Sequence, residues 1–391
     1  MNIPVKNCSS CGACANICAH GAITMQLDKD GFYRPIVDAS KCVKCGLCEK
    51  KCPWENEVFN PNRSSKAPKT VAAYALNEDI RLQSSSGGVF TILAENILDD
   101  GGVVVGVAQL SSKRFGHIVV DNRADLTKLR GSKYVQADAG TIYKDVRDLL
   151  KTGHKVLFSG TPCQVAALYA VLGKLAMSKK LMTVDIVCHG TPSVKFFEKY
   201  IGEIERKYSL SISSTLFRNK SRGWRNFSMM LLQNGCSGEN TVYSKTLHDD
   251  VFMRCFLKNL CLNTSCSDCH YCKLPRIADI TLGDYWGVGN YHPEMDDDKG
   301  TSVVLLNTEH GAQLFSSVED SVKQCNSALE NAIAGNPCII RSSKENFRRK
   351  DFFADLDKLS IKKLVERYCI RLPLYKIVLL KIRNCILKGF C

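Results

Sequence analysis

Beyond residue 70, apolar and polar positions alternate between short buried-type runs and amphipathic segments. Val89, Phe90, Leu93 and Ile97 recur at helical spacing, and Gly101-Gly102 ends that helix. Further helices are predicted at 164–174 and 194–208. Apolar runs predict strands at 71–76, 103–108, 155–159, 181–188 and 301–307. Strands that alternate with helices in this way predict a mixed α/β domain built on a sheet.

The two ends of the chain follow other patterns. Near the N-terminus, apolar segments at 22–25 and 33–37 flank Asp28-Lys29-Asp30-Gly31, which predicts a hairpin. The polar, Pro-containing stretch 59–69 predicts a linker. We therefore expect an N-terminal domain at 1–58, the linker, a large domain at 70–350 and a basic helical tail at 351–391.

Composition indicates a globular protein with a substantial core, because 45% of the 391 residues are hydrophobic. The chain contains no run of 18 apolar residues, so no transmembrane helix is predicted. Its first residues also lack the apolar core of a signal peptide. Twenty-one cysteines without a secretory signal indicate metal ligation in a reducing compartment. The expected location is the cytoplasm.

The formal charge of +14 is concentrated at the C-terminal end, where residues 341–391 hold 14 Lys/Arg against 5 Asp/Glu. No nucleic-acid-reading motif accompanies this charge, so we expect no nucleic-acid partner. The tail is either a surface helix pair or a basic amphipathic segment that contacts an anionic membrane peripherally. The pattern favours the surface helices.

Two cysteine runs of one spacing carry the clearest chemistry. Each cysteine of the second run follows its counterpart by 34 positions, and the fourth cysteine of such a run ligates the other cluster. One [4Fe-4S] cluster is therefore assigned to Cys8, Cys11, Cys14 and Cys52, and the second to Cys42, Cys45, Cys48 and Cys18. A disulfide module or zinc is disfavoured, because zinc sites use paired C-x2-C knuckles and disulfide modules are typical of secreted chains.

A third group of cysteines lies further along the chain. Cys261, Cys266, Cys269 and Cys272 fall within twelve residues and predict a third iron–sulfur site, with zinc as the alternative. The following segment, 280–287, reads as a strand that enters an aromatic loop with Asp284, Tyr285 and Trp286. These three side chains are candidates to border a planar ligand, although aromatic pairs more often belong to a core.

Glycine-containing loops open several predicted helices. Helix N-termini expose unpaired N–H groups that suit a phosphate, and two parallel strands that end in Gly-Thr-Pro form a natural cofactor crevice. Helix capping alone explains the same residues equally well. The candidate loops are Ser85-Ser86-Gly87-Gly88, Gly131-Ser132-Lys133-Tyr134, Gly160-Thr161-Pro162-Cys163-Gln164 and Gly190-Thr191.

Three residues in these loops are candidates for direct chemistry. Cys163 and Cys188 lie at predicted helix starts, where thiols become ligands or nucleophiles, whereas most buried cysteines are inert. His189 is a candidate catalytic proton donor near a flavin, and a hydrogen-bonding role is an equal alternative.

Taken together, these motifs resemble the family of coenzyme F420 hydrogenase/dehydrogenase beta subunits, and the N-terminal runs resemble a bacterial two-cluster ferredoxin. The resemblance is carried by the residues at 85–88, 131–134, 159–164, 188–193 and 267–287. It implies FAD held by the glycine loops at 85–88, 131–134 and 160–164. It also implies a third [4Fe-4S] cluster on Cys261, Cys266 and Cys269, with Cys272 or Cys188 as the fourth ligand.

The implied fold is a ferredoxin-like two-cluster module followed by a mixed α/β flavin-binding domain with an inserted iron–sulfur segment and a helical tail. The implied function is an oxidoreductase that passes electrons between three [4Fe-4S] clusters and FAD. The substrate would be a coenzyme F420-type molecule or one from polysaccharide synthesis, and the redox partner would be F420, ferredoxin or NAD(P)H. The alternative is a relay subunit that docks on a partner oxidoreductase.

Overall fold

The computed structural model describes residues 7–56, 67–235 and 238–369. Within these ranges the chain forms a small N-terminal module and a mixed α/β body around an eight-stranded sheet. Most of the predicted linker, and the predicted tail after residue 369, lie outside the described residues. Of the helices in the described ranges, none combines the length and apolar character needed to cross a membrane.

The N-terminal module places two short helices beside a hairpin. Its elements are α1 (Ala13–Ile17), β1 (Ile23–Leu27), β2 (Tyr33–Val37) and α2 (Leu47–Lys50). Strands β1 and β2 pair antiparallel, so the predicted hairpin is confirmed. Its turn is closed by Asp28, whose Oδ1 accepts the backbone N–H groups of Asp30 and Phe32 at 3.0 Å.

The body contains strands and helices in alternation, as the apolar pattern predicts. Its strands are β3 (Lys69–Ala75), β4 (Val103–Ser111), β5 (Arg114–Val120), β6 (Val156–Gly160), β7 (Leu181–Ile186), β8 (Ser214–Asn219), β9 (Ser228–Gly235), β10 (Gly238–Thr246), β11 (Ile280–Asp284), β12 (Ser302–Leu306) and β13 (Val322–Ser327). Its helices are α3 (Glu78–Gln83), α4 (Val89–Asp99), α5 (Arg123–Leu126), α6 (Ile142–Lys151), α7 (Pro162–Leu172), α8 (Val194–Tyr208), α9 (Val251–Leu257), α10 (Glu309–Ser316), α11 (Leu329–Gly335), α12 (Arg349–Leu356) and α13 (Ile361–Tyr368).

The large sheet has the strand order β13-β3-β12-β11-β7-β6-β4-β5. The neighbours from β11 to β4 are parallel, and the outer pairs are antiparallel. Strands β3, β4, β6, β7 and β12 coincide with the predicted runs, which confirms those predictions. Short 3-10 turns, among them Thr264–Asp268 and Pro293–Met295, connect several elements.

The central strands are apolar throughout because both faces of the sheet are covered. On one face Val104 and Leu157 pack in the cluster that includes α4. On the other face Val105 and Phe158 pack in the cluster that includes α6 and α7. Because β6 and β7 are parallel neighbours, they end at the same edge of the sheet, and the loops after them lie side by side.

A second, three-stranded sheet of β8, β9 and β10 lies with α8, α9, α12 and α13 around an aromatic core. Phe197 is central to it, with ring centroids 5.6 Å from Phe217 and 5.4 Å from Phe252. This core supports α8 and α9, which flank the loop after β7.

The two Gly-Thr-Pro loops start their helices differently. In α7, Thr161 is the N-cap and Pro162 is the first helical residue, as predicted. The backbone N–H of Thr161 donates to Gln164 Oε1 at 2.9 Å. In α8 the N-cap is Ser193, whose Oγ accepts the N–H of Phe196 at 3.2 Å. Helix α8 therefore begins at Val194, as predicted, and Ser193 rather than Thr191 is its N-cap.

Candidate functional site

The first thiol group consists of Cys8, Cys11, Cys14 and Cys52. Burial and the charge of Cys8 raise the pKa of Cys11 to about 12, and Cys52 also contributes. Burial and the charges of Cys11, Cys8 and Cys52 raise the pKa of Cys14. These mutual interactions bring together the four cysteines that the spacing groups. Buried thiols that repel one another release their protons when iron supplies compensating positive charge.

The second thiol group, Cys18, Cys42, Cys45 and Cys48, lies around α2. Burial is the main cause that raises the pKa of Cys48, and the charge of Cys18 adds to it. Cys18 also packs in a small apolar cluster with Cys48. Cys45 is exposed, so this group reaches the surface of the module.

The third thiol group consists of Cys188, Cys266, Cys269 and Cys272. Burial raises the pKa of Cys188, followed by the charges of Cys266 and Cys269. The hydrogen bond from Cys272 lowers the pKa of Cys269, and the charge of Cys188 acts on Cys272. Both candidates for the fourth ligand, Cys188 and Cys272, are therefore present in one group.

Cys261 is not brought to this group. Its side chain is fully buried in the aromatic core, and the charges that act on its thiol are those of Arg349 and Cys369. The backbone explains the separation, because the N–H of Ser193 bonds to the carbonyl of Cys261 at 2.9 Å and fixes it before the 3-10 turn that carries Cys266. Cys163 lies nearer to the third thiol group than Cys261 does, since the charges of Cys269 and Cys188 act on it.

The loop of the third thiol group is tied to the sheet by a buried ion pair. Arg276 and Asp185 have no exposed side-chain surface, and Arg276 Nη2 lies 3.0 Å from Asp185 Oδ2. Arg276 Nη1 also donates to the carbonyl of Tyr271 at 3.0 Å. Burial raises the pKa of Asp185, and the charge of Arg276 opposes this. The pair orients the cysteine loop against the end of β7.

Contacts join the first and third thiol groups. Burial raises the pKa of Tyr271, and the charges of Cys11, Cys163 and Cys269 act on it as well. The hydroxyl of Tyr271 donates to the carbonyl of Pro53 at 2.5 Å. Trp54 stacks on His270 with ring centroids 3.9 Å apart. The N-terminal module thus meets the body where two thiol groups approach each other.

Next to these groups lies a cavity of about 660 Å³, called here the central pocket. All four candidate loops contribute to its wall. The candidate residues that line it are Ser85, Ser86, Gly88, Gly131, Ser132, Lys133, Tyr134, Gly160, Thr161, Cys163, Gln164, Cys188, His189, Gly190 and Thr191. The sheet edge therefore assembles motifs that are about 100 residues apart in the chain.

Two candidate cofactor residues do not line the pocket. Gly87 packs behind its loop, where its N–H donates to Ser302 Oγ at 2.9 Å and a Cβ would lie 2.4 Å from the carbonyl oxygen of Ala73. Pro162 is buried in the first turn of α7. Both residues shape the pocket through the backbone.

The loops at 85–88 and 131–134 are bonded to each other. The backbone N–H of Ser132 donates to Ser85 Oγ at 2.7 Å. The ammonium of Lys133 donates to the carbonyls of Lys128 and Arg130 at 3.1 and 2.9 Å. Although Lys133 keeps some exposed surface, desolvation of its ammonium lowers the pKa to about 7. Lys133 therefore braces its own loop and carries a titratable charge at the pocket wall.

Both ring nitrogens of His189 lie close to polar side chains. Its Nε2 lies 2.6 Å from Asn259 Oδ1, and its Nδ1 lies 3.3 Å from Ser343 Oγ. Asn259 Nδ2 donates to a carbonyl, so its oxygen faces the ring as acceptor and Nε2 carries the proton. Burial lowers the pKa of His189, which keeps the ring neutral. This geometry favours the hydrogen-bonding role over the catalytic one.

Further pocket residues escaped the sequence motifs. Arg225, His248, Met253 and Phe256 line the pocket but belong to none of the candidate loops. Alternating apolar positions around 227–231 were the available signal for this wall. The predicted aromatic loop does contribute, because Asp284 and Trp286 line the pocket.

Arg218 fixes that aromatic loop. It pairs with Asp284, and its guanidinium lies 5.3 Å from the ring centroid of Trp286. Trp286 stacks on Trp224 with centroids 4.6 Å apart, and Trp224 Nε1 donates to Asp284 Oδ1 at 2.9 Å. Tyr285, in contrast, is fully buried and belongs to the core.

Comparison with known families divides the chain into three matched parts. Residues 7–56 match a 4Fe-4S dicluster domain. Residues 70–143 and 153–332 match the N-terminal and C-terminal parts of the coenzyme F420 hydrogenase/dehydrogenase beta subunit.

Individual relatives are distant. The chain is 21% identical over 195 residues to an F(420)H(2) dehydrogenase subunit of Methanosarcina mazei. This match covers 46% of this chain and 53% of that protein. It is 22% identical over 331 residues to the coenzyme F420-dependent sulfite reductase of Methanocaldococcus jannaschii, covering 80% of this chain and 46% of that protein. The chain thus spans about half the length of these relatives.

A solved structure of the F420-reducing [NiFe] hydrogenase complex from Methanosarcina barkeri also contains a similar chain. The likeness covers 77% of this chain and 92% of that chain, with 19% sequence identity and a TM-score of 0.46.

Proposed function

Because the chain belongs to the family of coenzyme F420 hydrogenase/dehydrogenase beta subunits and carries a 4Fe-4S dicluster domain before it, we propose that it is an iron–sulfur flavoprotein oxidoreductase. The three thiol groups would each hold a [4Fe-4S] cluster, and the central pocket would hold FAD beside a small-molecule substrate. When bound, the clusters supply one-electron transfer and FAD converts it into hydride chemistry.

The observation that carries the proposal is the order of the sites. The second thiol group reaches the surface at Cys45, and the first thiol group lies inward of it. The first and third groups meet around Tyr271, and Cys188 of the third group lines the central pocket. A series of buried thiols that ends at a ligand-sized cavity suits stepwise electron transfer.

The size of the pocket and the helix ends at its wall support a dinucleotide as its ligand. Its volume lies within the range of about 300–1,000 Å³ that is typical of ligand sites. Helices α4 and α7 both begin at its wall, at Gly88 and Thr161. The positive dipole ends of these two helices favour phosphate groups.

Neighbouring residues would exclude water from the electron route. The Trp54–His270 stack and the half-buried ring of Tyr271 cover the contact between the module and the body. Met253 and Phe256 give the pocket an apolar wall. Low local polarity strengthens the electrostatic influence of the loops on a bound cofactor.

The test is purification of the full chain without oxygen, followed by iron, flavin and absorption measurements. We expect one FAD and about twelve iron atoms per chain, from three clusters of four. F420H2, NADPH and reduced ferredoxin are then offered in turn, and the true donor bleaches the flavin and cluster absorption. Protein with neither iron nor flavin contradicts the proposal, and eight iron atoms with one zinc remove the third cluster.

The second candidate function is a relay subunit of a larger oxidoreductase. It is supported by one relative, which is named as a subunit of a dehydrogenase. An enzyme turns over its substrate alone with an artificial donor, whereas a relay subunit requires its partner. Turnover that appears only after addition of a partner subunit selects the relay.

A further inference from the structure

Three side chains with metal-ligating atoms lie together near the β13 edge of the large sheet. His292 precedes the 3-10 turn Pro293–Met295, Glu294 lies in that turn, and Cys325 lies on strand β13. One ligand atom from each lies within 4.8 Å of the other two. We propose that these three residues bind a single divalent metal ion of the zinc class.

The ring of His292 is already oriented as a ligand would be. Its Nε2 lies 2.8 Å from Ser327 Oγ, and Ser327 Oγ lies 2.5 Å from the hydroxyl of buried Tyr285. Its Nδ1 lies 3.8 Å from Glu294 Oε1. Histidines that bind metals characteristically use their second nitrogen in such a hydrogen bond, which fixes the ring. The geometry therefore leaves Nδ1 for the ion.

The donor set selects the class of metal. One thiolate, one imidazole and one carboxylate suit zinc, whereas calcium and magnesium require oxygen ligands. Zinc bonds of about 2.0–2.3 Å in a tetrahedron need donors roughly 3.3–3.8 Å apart. The side chain of Glu294 is 56% exposed and is therefore free to rotate toward an ion. Its exposure also leaves the fourth position to water.

The ion would fasten a loop that reaches the central pocket. Strand β13 is the edge of the sheet and pairs with β3. The loop continues from Glu294 to Asp296, which pairs with Arg225, and Arg225 lines the pocket. Ligation from both sides would therefore join the sheet edge to the segment that positions Arg225.

The experiment uses the full chain, purified without oxygen and with its iron content verified, and zinc chloride as the probe. After equilibrium dialysis, we expect one zinc per chain. Zinc K-edge absorption should give about one sulfur near 2.3 Å and nitrogen or oxygen near 2.0–2.2 Å. His292→Ala and Cys325→Ser should weaken binding at least tenfold without loss of iron or flavin. Ser327→Ala should weaken it about tenfold through the ring orientation.

Two further variants make the result decisive. His310→Ala removes a histidine on α10, outside the trio, and should leave zinc binding unchanged. Cys325→Asp supplies an oxygen ligand and should restore binding that Cys325→Ser loses. No zinc uptake overturns the proposal. Sulfur-only coordination that persists in Cys325→Ser also overturns it, because the zinc then occupies the cluster cysteines.

Discussion

At the scale of single residues, two cysteines eight positions apart have opposite surroundings. A hydrogen bond from Cys272 and the N–H of Tyr271 lower the pKa of Cys269. Burial in the aromatic core raises the pKa of Cys261. Cys269 lies among the thiols of the third group, whereas the charges that act on Cys261 are those of Arg349 and Cys369, so the position of Cys269 suits ligation and that of Cys261 does not.

Replacement of these two cysteines tests this assignment. Cys269→Ala should lower iron from about twelve to about eight atoms per chain, because one cluster of four is lost. Cys261→Ala, the matched control, should keep about twelve. Iron analysis and electron paramagnetic resonance of the reduced proteins measure both, and equal losses in the two variants would contradict the assignment.

A second residue with unusual surroundings is His117 on β5. Neither ring nitrogen has a hydrogen-bond partner among the described residues, and the ring stacks on Phe158 with centroids 5.5 Å apart. Burial lowers the pKa of His117 to about 4, and the backbone of Asp138 opposes this slightly. The folded state therefore holds the ring neutral.

This depressed pKa predicts a pH-dependent stability. The unfolded chain binds a proton at His117 below about pH 6.5 and the folded chain does not, so stability falls as the pH falls from 6.5 toward 4. Between pH 7 and 5 the loss should be about 2 kcal/mol. Denaturant titrations should show that His117→Phe lacks this component. An identical pH dependence in both proteins would exclude His117 as its source.

At the scale of elements, helix α4 presents its N-terminus to the central pocket. Its N-cap is Gly88, with a φ of 84° and space so limited that a Cβ would lie 3.2 Å from Ile80. Gly101, just after the helix, has a φ of 70° but no atom within 4 Å of such a Cβ. The two glycines thus share a backbone conformation and differ in their surroundings.

Alanine at these two positions separates conformation from pocket geometry. Both variants should lose about 1–2 kcal/mol of stability because alanine disfavours positive φ. Only Gly88→Ala should also weaken FAD binding, at least tenfold, because the first turn of α4 must shift to make room for the added Cβ. Flavin retention after gel filtration measures this. Equal flavin loss in Gly101→Ala would assign the effect to helix stability alone.

At the scale of the whole molecule, the N-terminal module is held on the body by its hairpin turn. The N–H of Val194 donates to the carbonyl of Gly31 at 3.0 Å, and Ser193 Oγ donates to that of Asp30 at 2.5 Å. A Cβ on Gly31 would lie 2.3 Å from the Cβ of Lys195. This contact joins the module to the start of α8, close to the third thiol group.

Gly31→Ala should therefore disturb docking without altering the cysteines of the module. Iron content should remain near that of the natural protein, while the rate of flavin reduction through the clusters falls at least tenfold. Gly21→Ala is the control, since Gly21 also has a positive φ of 59° but nothing within 4 Å. Stopped-flow absorption measures the rates, and equal rates in both variants would contradict the role of the turn.

Local chemistry in the chain was sufficient to predict much of the fold. Strands β4, β6 and β7 were predictable because a sheet covered on both faces requires continuous apolar runs. Strand β13 was missed because an edge strand buries little, and its residues after Val322 are mostly polar. Strands β8 to β10 were missed because their packing partners are aromatic residues distant in the chain.

The sequence by itself determined the chemistry of each segment, since cysteine spacing and helix-start residues act over a few positions. Only the tertiary structure decided which segments act together. It set Cys261 apart from Cys269, and it gathered four loops into one pocket. It also brought His292 beside Cys325. The physical reason is that ligand and cofactor sites depend on distances between atoms, and strand order in the sheet sets those distances for residues far apart in the chain.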